Sequence, residues 1–169
     1  MVLTTIAFVP SLSAAQVRSH TSNSAASAYC AKMPASMVSS IVGSTVDLEE
    51  AVVSGSTLVC LYHGSTNTVT LEKETGMAAS GIATRQKAEA GHKKLFYASQ
   101  PTPLPKGTTI SFEPLAALGS NAFYWTGVIA GMPYSGADAF KGTTGYFSEM
   151  RGALKKSPLE DLERLALAA

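Results

Sequence analysis

The sequence predicts an α+β protein, with an antiparallel sheet on which an N-terminal helix, a middle helix and a C-terminal helix pack. Runs of alternating or β-branched apolar residues are separated by short turns rich in Gly, Asn and Ser, which is typical of antiparallel strands. Apolar residues also recur at helical spacing near the start, in the middle and at the end of the chain. Of the two cysteines, Cys30 precedes a predicted helix and Cys60 lies in a predicted strand. A bond between them would fasten that helix to the sheet.

Size and composition indicate a single domain with few charges. The chain has 169 residues, of which 46% are hydrophobic and 15% are charged, below the roughly 25% charged residues of typical soluble domains. Small neutral polar residues take the place of the missing charges, as is common in exported bacterial proteins. The formal net charge is +1, so no long-range field attracts polyanions and we expect no nucleic-acid partner.

Residues 1–27 are predicted to form a signal-like or flexible N-terminal leader, which leaves residues 28–169 as one α+β domain. Residues 1–15 combine a short apolar run with small residues, and residues 13–15 or 11–13 resemble a cleavage site. The basic residues that open a signal peptide are missing, so a genuine N-terminal strand is the alternative. No run reaches the roughly 18 apolar residues of a membrane span, and we expect no transmembrane segment.

The first predicted helix is short and ends at a glycine. Pro34 suits its first turn, and Gly43 is a natural stop. Its apolar residues recur at helical spacing: Met33, Met37, Val38, Ile41 and Val42.

Three strands are predicted next, at residues 51–53, 57–63 and 68–74. Side chains alternate between the two faces of a strand, so Leu58, Cys60 and Tyr62 share one face and Val59, Leu61 and His63 share the other. Cys60 would then point towards the helix that follows Cys30.

The middle helix is predicted over residues 77–94, with a thin apolar stripe and a solvent-facing side that includes His92. A strand is predicted at residues 95–99. Residues 100–107 contain three prolines and therefore predict an exposed connection rather than a regular ladder.

Further strands are predicted at residues 108–112, 121–130 and 137–140. The second of these is apolar on both faces, which predicts a central strand. The last helix begins with a capping box that carries proline at the first helical position, at residues 157–160. Its apolar face is formed by Leu159, Leu162, Leu165 and Ala166.

The two cysteines bear on the compartment. In a reducing cytosol Cys30 and Cys60 would be two separate buried thiols, whereas in an oxidising compartment they would pair. We expect the disulfide, which would stabilise the fold by roughly 3–4 kcal/mol in the chain-entropy model; two free thiols are the alternative. No histidine lies at zinc-site spacing from either cysteine, so we expect neither a metal nor a cofactor. The predicted location is extracytoplasmic: secreted, periplasmic or in the cell envelope.

An early cysteine, a short helix ending in glycine and a second cysteine followed by an aromatic residue form a pattern here, with Cys30, Gly43 and Cys60-Leu61-Tyr62. In this pattern residues 30–169 resemble a group of small secreted or lipid-anchored actinobacterial domains of unknown function. That resemblance implies a PsbP-type α/β sandwich, with an antiparallel sheet, helices packed on it and an extracytoplasmic location. It implies no catalytic residues.

The sequence lacks the motifs of common catalytic sites. It contains no G-x-S-x-G, no H-E-x-x-H and no glycine-rich nucleotide-binding motif. Carboxylates occur in close pairs at residues 49–50, 72–74 and 161–163. We interpret each pair as solvated, on a turn or a wet face, rather than held in an apolar pocket that would raise a pKa. We therefore predict no catalytic residue.

The remaining function is recognition. We predict a non-catalytic extracytoplasmic domain that binds a protein partner or a small or lipidic ligand, with Tyr62, His63, Tyr134 and Tyr146 as its contacts. One alternative is a small extracytoplasmic hydrolase that uses His63 or a glutamate, which would require His63 within hydrogen-bond reach of a carboxylate or hydroxyl in a cleft. A second alternative is an obligate structural subunit, which would expose a large apolar patch.

Overall fold

The computed structural model describes residues 24–129, 131–152 and 156–169. Within these ranges the helices are α1 (Ser24–Cys30), α2 (Ala35–Val42), α3 (Arg85–Ala98) and α4 (Lys156–Ala168), with a 3-10 turn at Ala116–Leu118. The strands are β1 (Val46–Ser54), β2 (Thr57–Gly64), β3 (Thr68–Glu74), β4 (Thr109–Pro114), β5 (Phe123–Ile129), β6 (Met132–Lys141) and β7 (Thr144–Arg151). They form one antiparallel sheet of seven strands in the order β1-β2-β3-β7-β6-β5-β4. The predicted α+β class, with N-terminal, middle and C-terminal helices on an antiparallel sheet, is confirmed.

Three helices cover one face of the sheet, which we call the helix-covered face. Helix α1 packs on β1 and β2, α2 packs on β1 and α4, and α4 packs on β3, β5, β6 and β7. Their apolar side chains form the larger buried cluster with the strand residues that point to them, including Cys60, Tyr62, Val69, Leu71 and Ala137.

Helix α3 lies on the opposite face, over the edge formed by β4, β5 and β6. Phe96 of α3 is fully buried, and its ring meets Trp125 at a centroid distance of 6.4 Å. Gly127 of β5 accommodates this ring, since a Cβ there would lie 3.0 Å from Phe96. The second buried cluster forms under the helix and contains Ala88, Phe123, Trp125 and Tyr134.

The predicted cysteine bond is present in the structure. The sulfur atoms of Cys30 and Cys60 are 2.06 Å apart, and both residues are buried between α1 and β2. Cys60 lies on the helix-covered face with Tyr62, as the alternation of β2 predicts. The predicted glycine stop is also confirmed, because Gly43 ends α2 in the left-handed conformation with φ of 73°.

The start of the described chain differs from the sequence prediction. Residues 24–27, assigned to the leader, belong to α1, where Ala26 is fully buried. The signal-like stretch at residues 1–15 lies outside the described residues. The division into a leader and a single domain stays a prediction.

The middle helix begins eight residues later than predicted and continues through the predicted strand at 95–99, which is wrong. The Thr84 hydroxyl accepts a hydrogen bond from the Lys87 backbone N–H at 3.3 Å and caps the helix. The helix continues through Phe96 because this side chain fills the space between α3 and the sheet. A short apolar run fits a helix or a strand equally well, and here tertiary packing selects the helix. The predicted central strand is β5, which lies one strand from the edge, whereas β7 is in the middle.

Candidate functional site

On the face opposite the helix-covered face, α3 lies over β4, β5 and β6. Within the described residues, no helix lies over the other half of that face. Over β1, β2, β3 and β7, neighbouring side chains pair across the strands: Val52 with Val59, Val59 with Glu72, and Glu72 with Phe147. The next row pairs Leu61 with Thr70 and Thr70 with Glu149. All of these side chains are partly buried. We call this surface the uncovered face, formed by Val52, Val59, Leu61, Thr70, Glu72, Phe147 and Glu149.

Two carboxyl groups stand in the middle of the uncovered face. Glu72 and Glu149 occupy diagonal positions on the adjacent strands β3 and β7, an arrangement in which side chains interact. Burial raises the pKa of Glu72 to about 8, and Glu149, Asp138 and Glu74 add to the shift through charge repulsion. Burial also raises the pKa of Glu149 to about 7; His92 opposes the shift and Asp138 adds to it. Neutral carboxylic acids are therefore substantially populated here near pH 7.

A buried hydrogen-bonded group borders these carboxyls on the side of α3. One carboxylate oxygen of Asp138 lies 2.9 Å from His92 Nδ1, and the other accepts a hydrogen bond of 3.0 Å from Trp125 Nε1. The His92 ring packs on Trp125 at 4.8 Å and on Phe112 and Phe123 at 5.8 Å. Desolvation lowers the pKa of His92, but the charge and hydrogen bond of Asp138 together raise it above its ordinary value.

The space for this group comes from a glycine. Gly136 of β6 lies opposite Trp125, and a Cβ at this position would approach the indole ring to 2.6 Å and the Ser148 carbonyl oxygen to 2.4 Å. The absence of a side chain lets the indole lie flat on the sheet and aim its N–H at Asp138. Trp125 therefore has a structural role, as its place in a strongly apolar strand predicts.

The structure does not bring the four predicted contact residues together. Tyr62 and Tyr146 are buried on the helix-covered face, where the Tyr62 hydroxyl donates a 2.6 Å hydrogen bond to the Met33 carbonyl. Tyr134 is buried in the cluster under α3. His63 is exposed, and its Nδ1 lies 3.5 Å from the Thr68 hydroxyl. A role for these four in ligand contact stays a prediction.

The residues that the sequence analysis missed are the partly buried acids and His92. The sequence predicts a solvated pair at 72–74, but burial raises the pKa of Glu72, and Glu74 is also buried with a raised pKa. His92 was assigned to the wet side of the middle helix, yet it faces the sheet. A signal for His92 existed, because Ala88, His92 and Phe96 follow one another at intervals of four residues. Glu72 carried no such signal, since a polar residue at every second strand position is also typical of a solvent-facing surface.

Two further observations concern the described residues. No group of three or more His, Cys, Asp or Glu side chains there is arranged to hold a metal ion. None of the helices described is both long enough and apolar enough to cross a membrane.

Comparison with known proteins gives distant structural similarity. No family model and no curated protein matches the chain. Among solved structures, it is similar to the extracellular domain of PknH from Mycobacterium tuberculosis, with a TM-score of 0.49 and 9% sequence identity over 79% of this chain and 89% of that chain. We draw nothing further from so distant a similarity, and the PsbP-type architecture stays a prediction.

Proposed function

We propose that this protein is a non-catalytic extracytoplasmic binding domain whose ligand lies on the uncovered face. The observation that carries the proposal is this surface itself, where apolar side chains of β1, β2 and β7 surround two carboxyl groups and remain partly exposed. Binding sites combine such apolar area with a few polar groups that orient the ligand.

The disulfide supports the extracytoplasmic location. Cys30 and Cys60 are joined across 30 residues, and bonds of this kind persist in oxidising compartments and are rare in the cytosol. Secreted, periplasmic and cell-envelope locations all fit this observation. Mass spectrometry after thiol alkylation of fractionated host cells would report both the compartment and the state of the two sulfurs.

The binding proposal predicts a ligand that co-purifies with the protein. Native mass spectrometry of protein from its own host should show an added mass that denaturation releases. The Leu61→Gln variant, which makes the uncovered face polar, should lose this mass. Leu48→Gln is the matched control, because Leu48 is exposed on the other face of β1. An added mass that both variants retain would contradict a site on the uncovered face.

A hydrolase is the second candidate, and one observation favours it. A carboxyl with a pKa of about 8 next to one with a pKa of about 7 resembles an acid and base pair. In this scheme Glu72 would donate a proton to the leaving group and Glu149 would activate water. His63 is less suited to such a role, since its nearest polar partner is an exposed Thr68 hydroxyl. Turnover of ester or glycoside substrates that disappears in both Glu72→Gln and Glu149→Gln would favour the enzyme over the binding domain.

A further inference from the structure

The uncovered face has an apolar half and an acidic half. Val52, Val59 and Leu61 on β1 and β2 provide the apolar half, and Glu50 of β1 lies opposite Leu61 at its rim. Glu72 and Glu149 on β3 and β7 provide the acidic half, immediately beside it. A ligand that covers both halves must therefore match apolar area with a group that complements two carboxyls.

Four cationic side chains of the described residues are engaged away from these two carboxyls. Arg85, Lys156 and Arg164 pair with Glu89, Glu113 and Glu160 respectively. Lys73 follows Glu72 in the strand but points to the helix-covered face, where its ammonium lies over the rings of Tyr29 and Tyr146.

Within the part of the chain that the structure describes, the carboxyl groups of Glu72 and Glu149 have neither a hydrogen bond nor an ion pair. The nearby Arg151 directs its guanidinium to the Met132 sulfur at 2.7 Å. His92 favours the charged form of Glu149, but it is bound to Asp138. Once ionised, the two carboxyls of the acidic half therefore have no cationic partner among the described residues.

We infer that the ligand of the uncovered face is an organic cation, an ammonium or guanidinium group carried on an apolar body. This inference rests on the proposed binding function and specifies its ligand class. The two diagonal carboxyls can flank one cationic group and accept its charge-assisted hydrogen bonds. The apolar body lies across β2 and β1, a span of roughly 10 Å, or about six to eight carbons. An anion would meet like charge at the ionised carboxyls, and a neutral ligand would leave that charge without a counterion.

The protonation of the two carboxyls couples the binding of this cation to pH. The groups that face Glu72 are Glu149, Asp138 and Glu74, and those that face Glu149 are His92 and Asp138. A cation binds best to the ionised carboxyls and therefore displaces protons from them. Its affinity rises between pH 6 and pH 9, as long as the ligand itself stays charged.

The test uses NMR titration of the full-length protein with hexylammonium, 1-hexanol and hexanoate, which share the apolar body and differ in charge. Hexylammonium should shift resonances of the uncovered face and bind about tenfold more tightly than hexanol, which corresponds to about 1.4 kcal/mol. The double variant Glu72→Gln/Glu149→Gln should lose this preference. Glu113→Gln, which removes an exposed carboxyl on β4, should keep it within about twofold.

The other possible outcomes distinguish a failure of the cationic ligand class from a failure of the proposed binding function. Equal binding of all three probes to the uncovered face would overturn the cationic class and leave the proposed function standing. The absence of shifts on this face with every probe would overturn both. Concentration-dependent shifts without ligand would assign the face to a second copy, and nuclear Overhauser contacts to residues 1–23 would assign it to the chain itself; either result would overturn the inference.

Discussion

Glu163 of α4 is an ionisable residue that is fully buried, with 0% of its surface exposed. Neither carboxyl oxygen has a well-aligned hydrogen-bond partner. Burial raises the pKa of this carboxyl well above its ordinary value, and Asp138 adds to the shift; the Ser148 hydroxyl and the Ala139 backbone act in the opposite direction. The folded protein must therefore take up a proton at this position when the solvent is neutral or alkaline, which lowers its stability.

Glu163→Gln is expected to stabilise the protein at alkaline pH, because glutamine fills the same space without a proton that must be acquired. We expect a gain of about 1–3 kcal/mol in the free energy of unfolding at pH 8 and almost none at pH 4.5. Urea denaturation at the two pH values measures both changes in the free energy of unfolding. Glu160→Gln, one turn earlier and paired with Arg164, is the control and should change stability by less than about 0.5 kcal/mol. A loss of stability at pH 8 would contradict this account of Glu163.

Two glycines should respond in opposite ways to the addition of one methyl group. Gly136→Ala brings a Cβ against the Trp125 ring and a backbone carbonyl, so we expect a loss of about 1–3 kcal/mol. Gly91→Ala is the matched control, since this exposed position in α3 has no atom within 4 Å of the added Cβ. Here a gain of about 0.5–1 kcal/mol is expected from the helix propensity of alanine. Thermal denaturation compares the two, and a harmless Gly136→Ala would show that the Trp125 packing is wrong.

Helix α1 depends on the disulfide at the scale of the element. It has seven residues, fewer than an isolated helix needs in water, and its last residue is Cys30. The Cys30→Ala/Cys60→Ala double variant should lose about 3–4 kcal/mol, because the unfolded chain regains the freedom of a loop of 30 residues. Calorimetry of this variant and of the wild type under reductant should give matching losses. An unchanged melting temperature in both would contradict the role of the bond.

The elements differ in how far the sequence predicts them. Strand β3 matches its prediction at 68–74, because apolar and polar residues alternate between clear turns. The start of α3 is mispredicted because Met77 and Ile82 fall at positions that also fit a helix. Their segment is held instead by tertiary hydrogen bonds, from the Met77 backbone N–H to the Thr143 carbonyl at 2.9 Å and from Asn121 Nδ2 to the Ile82 carbonyl at 2.6 Å. No local pattern encodes such contacts.

The acidic site is less predictable than the elements that carry it. Glu72 and Glu149 are neighbours only because β3 pairs with β7 in one particular register. Each strand on its own has the alternation of a solvent-facing ladder, and the pairing partner of a strand is not written in its sequence. The disulfide was predictable because it requires only two cysteines on facing elements.

At the scale of the whole molecule, helices cover more of one face of the sheet than of the other. Among the residues that the structure describes, three helices bury one face, and α3 buries only the β4, β5 and β6 edge of the other. Carboxyls with raised pKa lie on both sides of the sheet: Glu163 on the buried side of α4, and Glu72 and Glu149 on the uncovered face. Several acids thus resist ionisation in the folded protein while they ionise freely in the unfolded chain.

This difference predicts that the whole protein is more stable in mild acid than in alkali. In the unfolded chain these carboxyls have a pKa near 4.5, whereas in the folded protein Glu149 has a pKa of about 7, Glu72 of about 8 and Glu163 a higher one. The folded state therefore binds more protons, and its stability is fully present below pH 4.5 and falls as the pH rises through these values. His92, with its pKa raised by Asp138, acts in the same direction.

The melting temperature should accordingly fall by several degrees between pH 5.5 and pH 8.5, since each kcal/mol corresponds to roughly 2–4 °C in a domain of this size. The triple variant Glu72→Gln/Glu149→Gln/Glu163→Gln should flatten this profile and exceed the wild type mainly at the alkaline end. Differential scanning calorimetry across the range, at constant ionic strength, measures both curves. A wild-type melting temperature that rises with pH would mean that these acids are ionised in the folded protein, and the charge requirement assigned to the uncovered face would then be met by a partner within the chain.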